Sequence, residues 1–488
     1  MSPTECDPLI KRKRKLGDLP LAELPDPLRD FAVTKNGFLP ENGPLKRLPD
    51  AYYAPWEDLI ERLSALIENN TLRQKVDKLP VLSVEHLKTE AEWQRAFVIL
   101  GFLTHGYIWG GDAPAQILPP PLTVPLLAVS SHLGMPPVAT YAALNLWNFG
   151  TTSPSNNFAD LDNLYSLHTF TGTRDESWFY SVSVAIETAG AELIPVMMNA
   201  LEEVFCVMNK PYPVETNFEG YKKAIGMATS ALRGLCKRLG ELGALLVRMD
   251  EHCDPAIFYH RIRPFLAGSK NMASAGLPRG VFYKEGEGKG SWRKYRGGSN
   301  GQSSLIGFLD LVLGVEHRYS VYERGDLKPA QETHIEENED KKQAFHDEVR
   351  EYMPAPHRRF LEYLEDRYPG GMRTAVERLM GNYSGKSEKD VSNELEELWK
   401  AFQSAIKAMV DFRSHHLQMV ARYIIIPSRQ HRQCDGSKVN LATASSIQRS
   451  DQDKTELTGT GGTALLPFLK QSREETLQAG NLSIEVLQ

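Results

Sequence analysis

The most informative stretch of this sequence for fold and function is Asp411-Phe412-Arg413-Ser414-His415-His416-Leu417-Gln418-Met419-Val420-Ala421-Arg422-Tyr423. It lies in a longer segment, from about residue 394 to 426, whose apolar spacing predicts a single helix. At about 100° per residue, six apolar side chains lie within about 40° of His416 on a helical wheel. They are Phe402, Ala405, Met409, Phe412, Val420 and Tyr423. Because His415 is turned about 100° away, the pattern predicts that His416 lies at the centre of the buried face.

The spacing alone does not identify the group that the His416 imidazole binds. A buried polar group without a partner costs about 1–3 kcal/mol, so His416 needs one. A backbone carbonyl is the commonest partner and would make His416 an ordinary core residue. Haem iron is the alternative, because one axial histidine in an apolar pocket can hold a haem. Arg413 lies about 60° from His416, at the edge of the apolar stripe, where its guanidinium could pair with a haem propionate.

The composition is that of an ordinary globular protein. The 488 residues are too many for one compact core, which predicts two or more domains, and the formal net charge of −6 gives no case for nucleic-acid binding. The five cysteines lack any metal-binding spacing. No apolar stretch reaches the roughly 18 residues of a membrane helix, so we expect a soluble, cytoplasmic protein that does not bind membranes. The basic run at residues 11–15 predicts a flexible tail, with a nuclear targeting signal as the alternative.

Helical periodicity covers most of the chain and predicts an all-α fold of two or more domains. Residues 1–50 form an N-terminal extension that we expect to be partly flexible. A boundary rich in Ser, Asn and Asp at 151–163 separates a small helical domain, 51–160, from a large one, 161–488. The polar stretch 429–462 predicts a mobile loop. The main predicted helices span 88–108, 177–208, 217–250, 257–267, 303–317, 342–352 and 356–368, besides the long helix.

Two glycine-rich stretches each precede a predicted helix. Residues 459–463, Gly-Thr-Gly-Gly-Thr, could cradle a phosphate, but they lack the Lys-Ser/Thr ending of a P-loop, and a hinge or lid is the alternative. Residues 297–301 match the string G-x-S-x-G, but the sequence before them is a poor buried strand, so a serine nucleophile is not expected. Two interpretations of this stretch remain: a helix cap, or a backbone that closely approaches a flat ligand.

Aromatic residues precede an arginine at 258–263. Each of Arg261 and Arg263 would ordinarily be exposed. Tyr259, however, shares a helical face with Arg263, and Phe258 lies next to it. The three residues Phe258, Tyr259 and Arg263 could therefore hold an aromatic carboxylate ligand.

Five ordered motifs resemble those of the indoleamine 2,3-dioxygenase family over about residues 101–476. They are Arg263-Pro264-Phe265-Leu266-Ala267-Gly268, Gly297-Gly298-Ser299 with Gly301-Gln302-Ser303-Ser304, Glu351-Tyr352-Met353-Pro354 with His357-Arg358, Arg413-Ser414-His415-His416-Leu417-Gln418, and Gly459-Thr460-Gly461-Gly462-Thr463. The resemblance implies an all-helical, two-domain protein with haem b. It would insert both atoms of O2 across the indole C2–C3 bond of L-tryptophan, giving N-formyl-L-kynurenine, the first step of the kynurenine pathway toward NAD. We expect a monomer that also needs a reductant for the haem iron.

The same resemblance implies roles for individual residues. His416 would be the proximal ligand of the haem iron, and Arg413 and Asp310 would hold the propionate side. Ser183 and Arg263 would act in catalysis, with the Arg263 guanidinium pairing with the substrate carboxylate. The other substrate contacts would come from Tyr141, Phe179, Phe258, Tyr259, Ser299 and Thr460, and the haem-edge contacts from Gly298 and Ser299.

Three residues depart from the family pattern near the pocket: Tyr259, Asn300 and Leu144. They bear on substrate affinity and stereochemical preference. The alternative function is that of a haem-binding sensor or regulatory relative with weak tryptophan turnover.

Overall fold

The computed structural model of the chain describes residues 26–153, 157–209, 218–317, 345–383, 389–430, 446–447, 456–457 and 465–481. Within them the predicted all-α fold is confirmed. The basic run at 11–15 and most of the stretch 429–462 lie outside the described residues. No described helix is both long and apolar enough to cross a membrane.

The described α-helices, in chain order, are α1 (Asp26–Asp30), α2 (Ala54–Glu61), α3 (Leu63–Glu68), α4 (Leu72–Val76), α5 (Glu90–Trp109), α6 (Pro120–Leu133), α7 (Arg174–Gly190), α8 (Leu193–Met208), α9 (Phe218–Val247), α10 (Pro255–Ile257), α11 (Arg263–Leu266), α12 (Ser304–Leu313), α13 (Phe345–Arg350), α14 (Ala355–Arg367), α15 (Gly371–Tyr383), α16 (Lys389–Val420), α17 (Ile426–Gln430) and α18 (Leu465–Ala479). Three further segments are π-helical: Ala142–Leu146, Phe258–Ile262 and Ala421–Ile425. The described strands are β1 (Ile117–Leu118), β2 (Phe149–Thr151), β3 (Leu164–Ser166), β4 (Val281–Gly286), β5 (Lys289–Arg293), β6 (Ser446–Ile447) and β7 (Glu456–Leu457).

Helices α5 and α7 begin with the same local signal. The Thr89 and Thr173 hydroxyls each accept a hydrogen bond from the backbone N–H three residues later, at Glu92 and Glu176. The Glu176 carboxylate in turn accepts hydrogen bonds from backbone N–H groups that precede α7. Each threonine cap satisfies a donor that a helix leaves unpaired at its start, so these two helix starts are specified by sequence.

The long helix that carries His416 lies beside α9. Lys222 pairs with Glu394 at 3.3 Å near the start of both helices, and Asp250, just after α9, pairs with Arg422 near the other end. The partners in the two pairs are separated by the same number of residues, so α9 and α16 run parallel. Helix α16 therefore brings His416 alongside the C-terminal half of α9.

The segment predicted as one helix over 177–208 is two helices, α7 and α8. Helix α7 ends at Gly190, where glycine's poor helix propensity weakens the helix. Leu305 of α12 packs against Gly190 so closely that a Cβ there would lie 2.4 Å from the leucine Cδ2. The missing side chain at Gly190 therefore lets α12 pack closely against the end of α7.

Two elements were not expected from the sequence. Strands β4 and β5 form an antiparallel hairpin whose turn uses positive φ angles at Gly286 and Gly288. Its charged, glycine-rich sequence lacks the β-branched alternation that indicates strands. Helix α15 begins at Gly371, and both Gly370 and Gly371 have positive φ. This helix therefore starts at residues that ordinarily indicate a break.

The predicted domain boundary at 151–163 lies between two paired strands. Strands β2 and β3 are antiparallel and join the two sides of this stretch by backbone hydrogen bonds. The division into 51–160 and 161–488 stays a prediction.

Candidate active site

A cavity of about 520 Å³ lies between α7, α12, α16 and α18. Most of the residues with predicted roles line it: Tyr141, Phe179, Ser183, Phe258, Arg263, Gly298, Ser299, Asp310, Arg413 and His416. These residues come from segments far apart in sequence, so the fold brings them together in one cavity.

His416 lies on the cavity wall formed by α16. Met409, Phe412 and Val420, from the predicted apolar stripe, line the same wall. Burial and the nearby Arg413 charge lower the pKa of His416 to about 4. The imidazole is therefore neutral at pH 7, which leaves one ring nitrogen able to bind a metal.

The adjacent His415 has a different environment. It packs against α9, where a Cβ added to Gly243 would lie 3.0 Å from the His415 Nδ1. It does not line the cavity, and its Nδ1 has no hydrogen-bond partner among the described residues. The two histidines thus point to different neighbours, as their spacing on a helix predicts.

A buried chain of charged groups extends from α16 to α18. The Arg413 guanidinium donates to the Asp310 carboxylate on α12. The other Asp310 oxygen lies 3.1 Å from the His317 Nε2, and the His317 Nδ1 lies 2.7 Å from Glu475 Oε2 on α18. Burial alone would raise the pKa of Asp310, but the charges and hydrogen bonds of Arg413 and His317 hold it well below its usual range.

The aromatic part of the cavity lies next to a buried cation. The Phe179 and Phe258 rings are 4.9 Å apart between centroids, and Phe258 contacts Tyr423 edge to face at 5.7 Å. Arg263 is 1% exposed, unlike the exposed Arg261. Burial lowers the pKa of Arg263 to about 10, so the guanidinium remains charged at pH 7.

Tyr259 lies behind Arg263 and not at the cavity surface. Its side chain is fully buried, and the guanidinium carbon of Arg263 lies 5.5 Å from the centre of its ring. Tyr259 is absent from the cavity lining. Any influence of this residue on an occupant would therefore act through the position of Arg263.

All three described π-helical segments border the cavity. Leu144, Phe258 and Tyr423, one from each segment, line it. A π-helical turn inserts an extra residue into a helix and is frequent at functional sites. Sequence periodicity assumes regular α-helix, so it gives no signal for these segments.

The glycines of the family motifs permit close backbone packing. A Cβ on Gly268 would lie 2.3 Å from the Gly297 nitrogen, and a Cβ on Gly297 would lie 1.9 Å from the Leu266 oxygen. Gly298 faces the Leu144 side chain, and a Cβ there would lie 2.3 Å from the leucine Cδ1. The segment from 263 to 268 can approach the segment from 297 to 299 only because side chains are missing.

The serines after these glycines are helix caps. The Ser299 hydroxyl accepts from the Gly301 N–H, and the Ser303 hydroxyl accepts from the Ile306 N–H at the start of α12. Strand β5 ends at Arg293 and is mostly exposed, so the buried strand that a nucleophile elbow requires is not found here. The capping interpretation of this stretch is confirmed.

Sequence analysis missed Glu187, a buried acid just behind the cavity. Its Oε1 accepts hydrogen bonds from the Tyr141 hydroxyl at 3.0 Å and the Ser303 hydroxyl at 2.6 Å. Burial raises the pKa of Glu187 to about 7, although these two hydrogen bonds lower it. The sequence feature that could have identified Glu187 is its position one helical turn after Ser183, inside the apolar run of α7.

Thr460 and the glycine-rich stretch 459–463 lie outside the described residues. Helix α18 begins two residues later and contributes Leu465, Phe468, Leu469 and Ser472 to the cavity lining. The C-terminal helix is therefore part of the site.

The lining suits a haem group. It offers one neutral imidazole, His416, among apolar side chains, as single axial ligation requires. It also offers Arg413, whose buried Nε has no hydrogen-bond partner among the described residues, so a donor is available for an anionic group such as a propionate. His416 and Arg413 are therefore the residues that would hold a haem.

The chain is similar to known proteins along nearly its whole length. The indoleamine 2,3-dioxygenase family model matches residues 27–479. The indoleamine 2,3-dioxygenase nanC of Aspergillus nanangensis is 36% identical over 453 residues, covering 92% of this chain and 95% of the relative. The indoleamine 2,3-dioxygenase of Saccharomyces cerevisiae is 34% identical over 493 residues, covering 98% of both. The 6-hydroxytryptophan 2,3-dioxygenase fscD of Fusarium equiseti is 34% identical over 446 residues, covering 91% of this chain and 95% of the relative. The chain belongs to the indoleamine 2,3-dioxygenase family.

Proposed function

We propose that this chain is a haem-dependent dioxygenase that inserts both atoms of O2 across the indole C2–C3 bond of L-tryptophan to give N-formyl-L-kynurenine. Family membership supports a dioxygenase acting on an indole. One observation carries the choice of substrate class: a buried guanidinium, Arg263, lines the same cavity as the neutral imidazole of His416. A metal ligand, a cation for a carboxylate and an aromatic wall are thereby combined in one site.

Each part of the substrate has a matching group in the cavity. The Arg263 guanidinium can bind the carboxylate through two parallel hydrogen bonds, and burial strengthens this contact. The Phe179 and Phe258 rings can pack on the indole. The apolar lining excludes water from the reacting atoms. A haem held by His416 would supply the O2 chemistry.

Substrate specificity within the indole class depends on the residues around the ring. One relative, fscD, is named for a ring-hydroxylated tryptophan, at an identity similar to that of relatives named without such a substituent. In this chain Leu144 fills the space beside Gly298, and Asn300 also lines the cavity. We expect the bulk of Leu144 to favour unsubstituted tryptophan.

Product analysis tests the proposal. Purified protein loaded with haem receives a reductant, O2 and either L-tryptophan or 6-hydroxy-L-tryptophan, and N-formyl products are quantified by chromatography. We expect N-formyl-L-kynurenine, with tryptophan turned over faster than its hydroxylated form. Haem binding without any product would contradict the proposal and favour the sensor function. Faster turnover of the hydroxylated substrate would correct the specificity alone.

A further inference from the structure

His105, on α5, is a buried histidine that hydrogen-bonds to two segments leading into the cavity wall. Its side chain is 1% exposed and is absent from the cavity lining. Its Nδ1 lies 2.7 Å from the Phe265 carbonyl oxygen, and its Nε2 lies 3.2 Å from the Ala139 backbone nitrogen. His105 therefore joins two segments of backbone that are far apart in sequence.

These two contacts fix the tautomer of the imidazole. The Phe265 carbonyl oxygen can only accept a hydrogen bond, so Nδ1 must carry a proton and donate. The Ala139 N–H can only donate, so Nε2 must be unprotonated and accept. Burial lowers the pKa of His105 to about 4, although the bond to the Phe265 carbonyl raises it, so the ring is neutral at pH 7. A neutral His105 thus satisfies both backbone groups at once.

The Phe265 carbonyl belongs to α11, the single helical turn that carries Arg263. A second side chain of α5 binds the same region: the Trp109 Nε1 donates to the Ala267 carbonyl oxygen at 2.8 Å. Trp109 follows His105 by one helical turn, so both side chains lie on one face of α5. This face therefore holds the backbone on which the Arg263 guanidinium is mounted.

The other contact of His105 holds the opposite segment. Ala139 precedes Tyr141 and the π-helical segment Ala142–Leu146, and both Tyr141 and this segment contribute to the cavity lining. The Tyr141 N–H donates to the Gln302 Oε1 at 2.9 Å, which ties the segment to the loop before α12. His105 adds the link from this segment to α11. The spacing between α11 and the π-helical wall therefore depends on His105.

We propose that His105 is a positioning residue that holds α11 against the segment beginning at Ala139, and so keeps the Arg263 guanidinium where it can pair with a substrate carboxylate. The inference rests on the proposed function for the identity of the occupant, and it adds a residue outside the cavity to substrate recognition. A guanidinium binds a carboxylate best through two parallel hydrogen bonds, which require exact placement. Loss of the His105 contacts should therefore weaken ligands that carry a carboxylate more than ligands that lack one.

The experiment compares L-tryptophan with tryptamine, which lacks the carboxylate, in three variants of His105. His105→Leu removes both hydrogen bonds at similar size. His105→Asn can replace the donor to Phe265, because an asparagine amide nitrogen reaches the position of Nδ1. His105→Gln can replace the acceptor for Ala139, because the longer glutamine side chain reaches the position of Nε2. Dissociation constants are measured by equilibrium dialysis on haem-loaded protein without reductant, so that no turnover occurs.

We expect His105→Leu to weaken tryptophan binding by about fivefold to tenfold, the value of one hydrogen bond, and tryptamine binding much less. His105→Asn should recover most of the loss, whereas His105→Gln should not, because the Phe265 carbonyl stays unpaired. The matched control is Thr104→Val on the same helix. Thr104 is fully buried, and its hydroxyl has no hydrogen-bond partner among the described residues, so this variant should change neither constant.

The two proposals fail in different ways. If His105→Leu weakens both ligands equally, or binds both like the unmodified protein, the inference is wrong and the proposed function stands. If His105→Leu does not fold, the other two variants decide: equal preference for tryptophan in His105→Asn and His105→Gln would overturn the inference. If the unmodified protein binds no tryptophan, the proposed function is wrong, and the inference falls with it.

Discussion

The imidazole of His317 joins the C-terminal helix to the cavity: its Nδ1 lies 2.7 Å from Glu475 Oε2 on α18. Its other nitrogen contacts Asp310, which binds Arg413 on the helix of His416. Burial lowers the pKa of His317, but the two carboxylates outweigh this effect and raise it. A protonated imidazole between two carboxylates can donate to both, so it ties α18 to the cavity wall that carries His416.

We expect Glu475→Gln to loosen α18. The substitution keeps the size of the side chain but leaves the buried imidazolium with one carboxylate fewer, at a cost of about 1–3 kcal/mol. Hydrogen exchange in α18 should accelerate, and haem should dissociate several times faster, because α18 forms part of the cavity wall. The neighbouring Glu474→Gln, at an exposed position, is the control. Equal behaviour of the two variants would show that Glu475 does not anchor the helix.

The same contact predicts a pH dependence. Because the folded-state pKa of His317 is raised above its ordinary value of 6.5, its stabilisation is fully present below that value and is lost as pH rises through the raised pKa. The free energy of unfolding of the unmodified protein should therefore exceed that of His317→Gln most at low pH, and this difference should shrink above neutrality. Denaturant titrations at several pH values measure it. Titrating groups that do not contact His317, Glu187 among them, cancel in the difference. A difference that grows with pH would contradict the assignment.

Helical spacing predicted the fold class and the face of α16 because a regular helix repeats at a fixed angle. It separated His416 from His415 for the same reason: Phe402 and Met409 are fully buried on the predicted stripe, whereas His415 faces α9. Periodicity failed where the backbone departs from that repeat. The hairpin β4–β5 depends on glycines with positive φ, and α15 begins at a pair of such glycines.

The site itself was predictable only as far as motifs extend. Composition alone predicts that Arg263 is exposed, as Arg261 is. Arg263 is buried because of the π-helical turn at Phe258–Ile262 and the packing of Tyr259 against it, which composition does not indicate. Glu187 carries no motif signal, since its importance comes from Tyr141 and Ser303, which the fold brings to it from distant segments. Such contacts are set by tertiary packing and not by local sequence.

We expect His416→Ala to abolish haem binding and His415→Ala to leave it largely intact. His416 lines the cavity as a neutral imidazole, whereas His415 packs on Gly243 of α9. The Soret absorption band during haem titration measures binding, and circular dichroism controls for folding. An unaltered Soret band in His416→Ala would remove His416 as the axial ligand. Loss of the band in His415→Ala alone would move that role to the neighbouring residue.

Arg263→Leu should weaken tryptophan binding by about 10- to 150-fold, the value of a charge-assisted hydrogen bond of about 1.5–3 kcal/mol. Binding of tryptamine, which lacks the carboxylate, should change much less. Both dissociation constants are measured on haem-loaded protein without reductant. Arg261→Leu, two residues away and exposed, is the matched control and should affect neither ligand. An equal loss for tryptophan and tryptamine would indicate that Arg263 supports the cavity wall without binding the carboxylate.

Gly268→Ala should destabilise the protein by about 1–3 kcal/mol or more, because a Cβ there would lie 2.3–2.4 Å from backbone atoms of residues 295–297, which cannot move aside as a flexible side chain can. The control is Gly234→Ala in the exposed middle of α9, where no atom lies within 4 Å of the added Cβ. There alanine should stabilise the helix by about 0.5–1 kcal/mol. Denaturant unfolding of the haem-free protein measures both changes. Since the displaced segment leads into Gly298 and Ser299 at the cavity, Gly268→Ala should also weaken haem binding, and Gly234→Ala should not. If Gly268→Ala proves as stable as the unmodified protein, the close approach of these two segments is not what requires glycine.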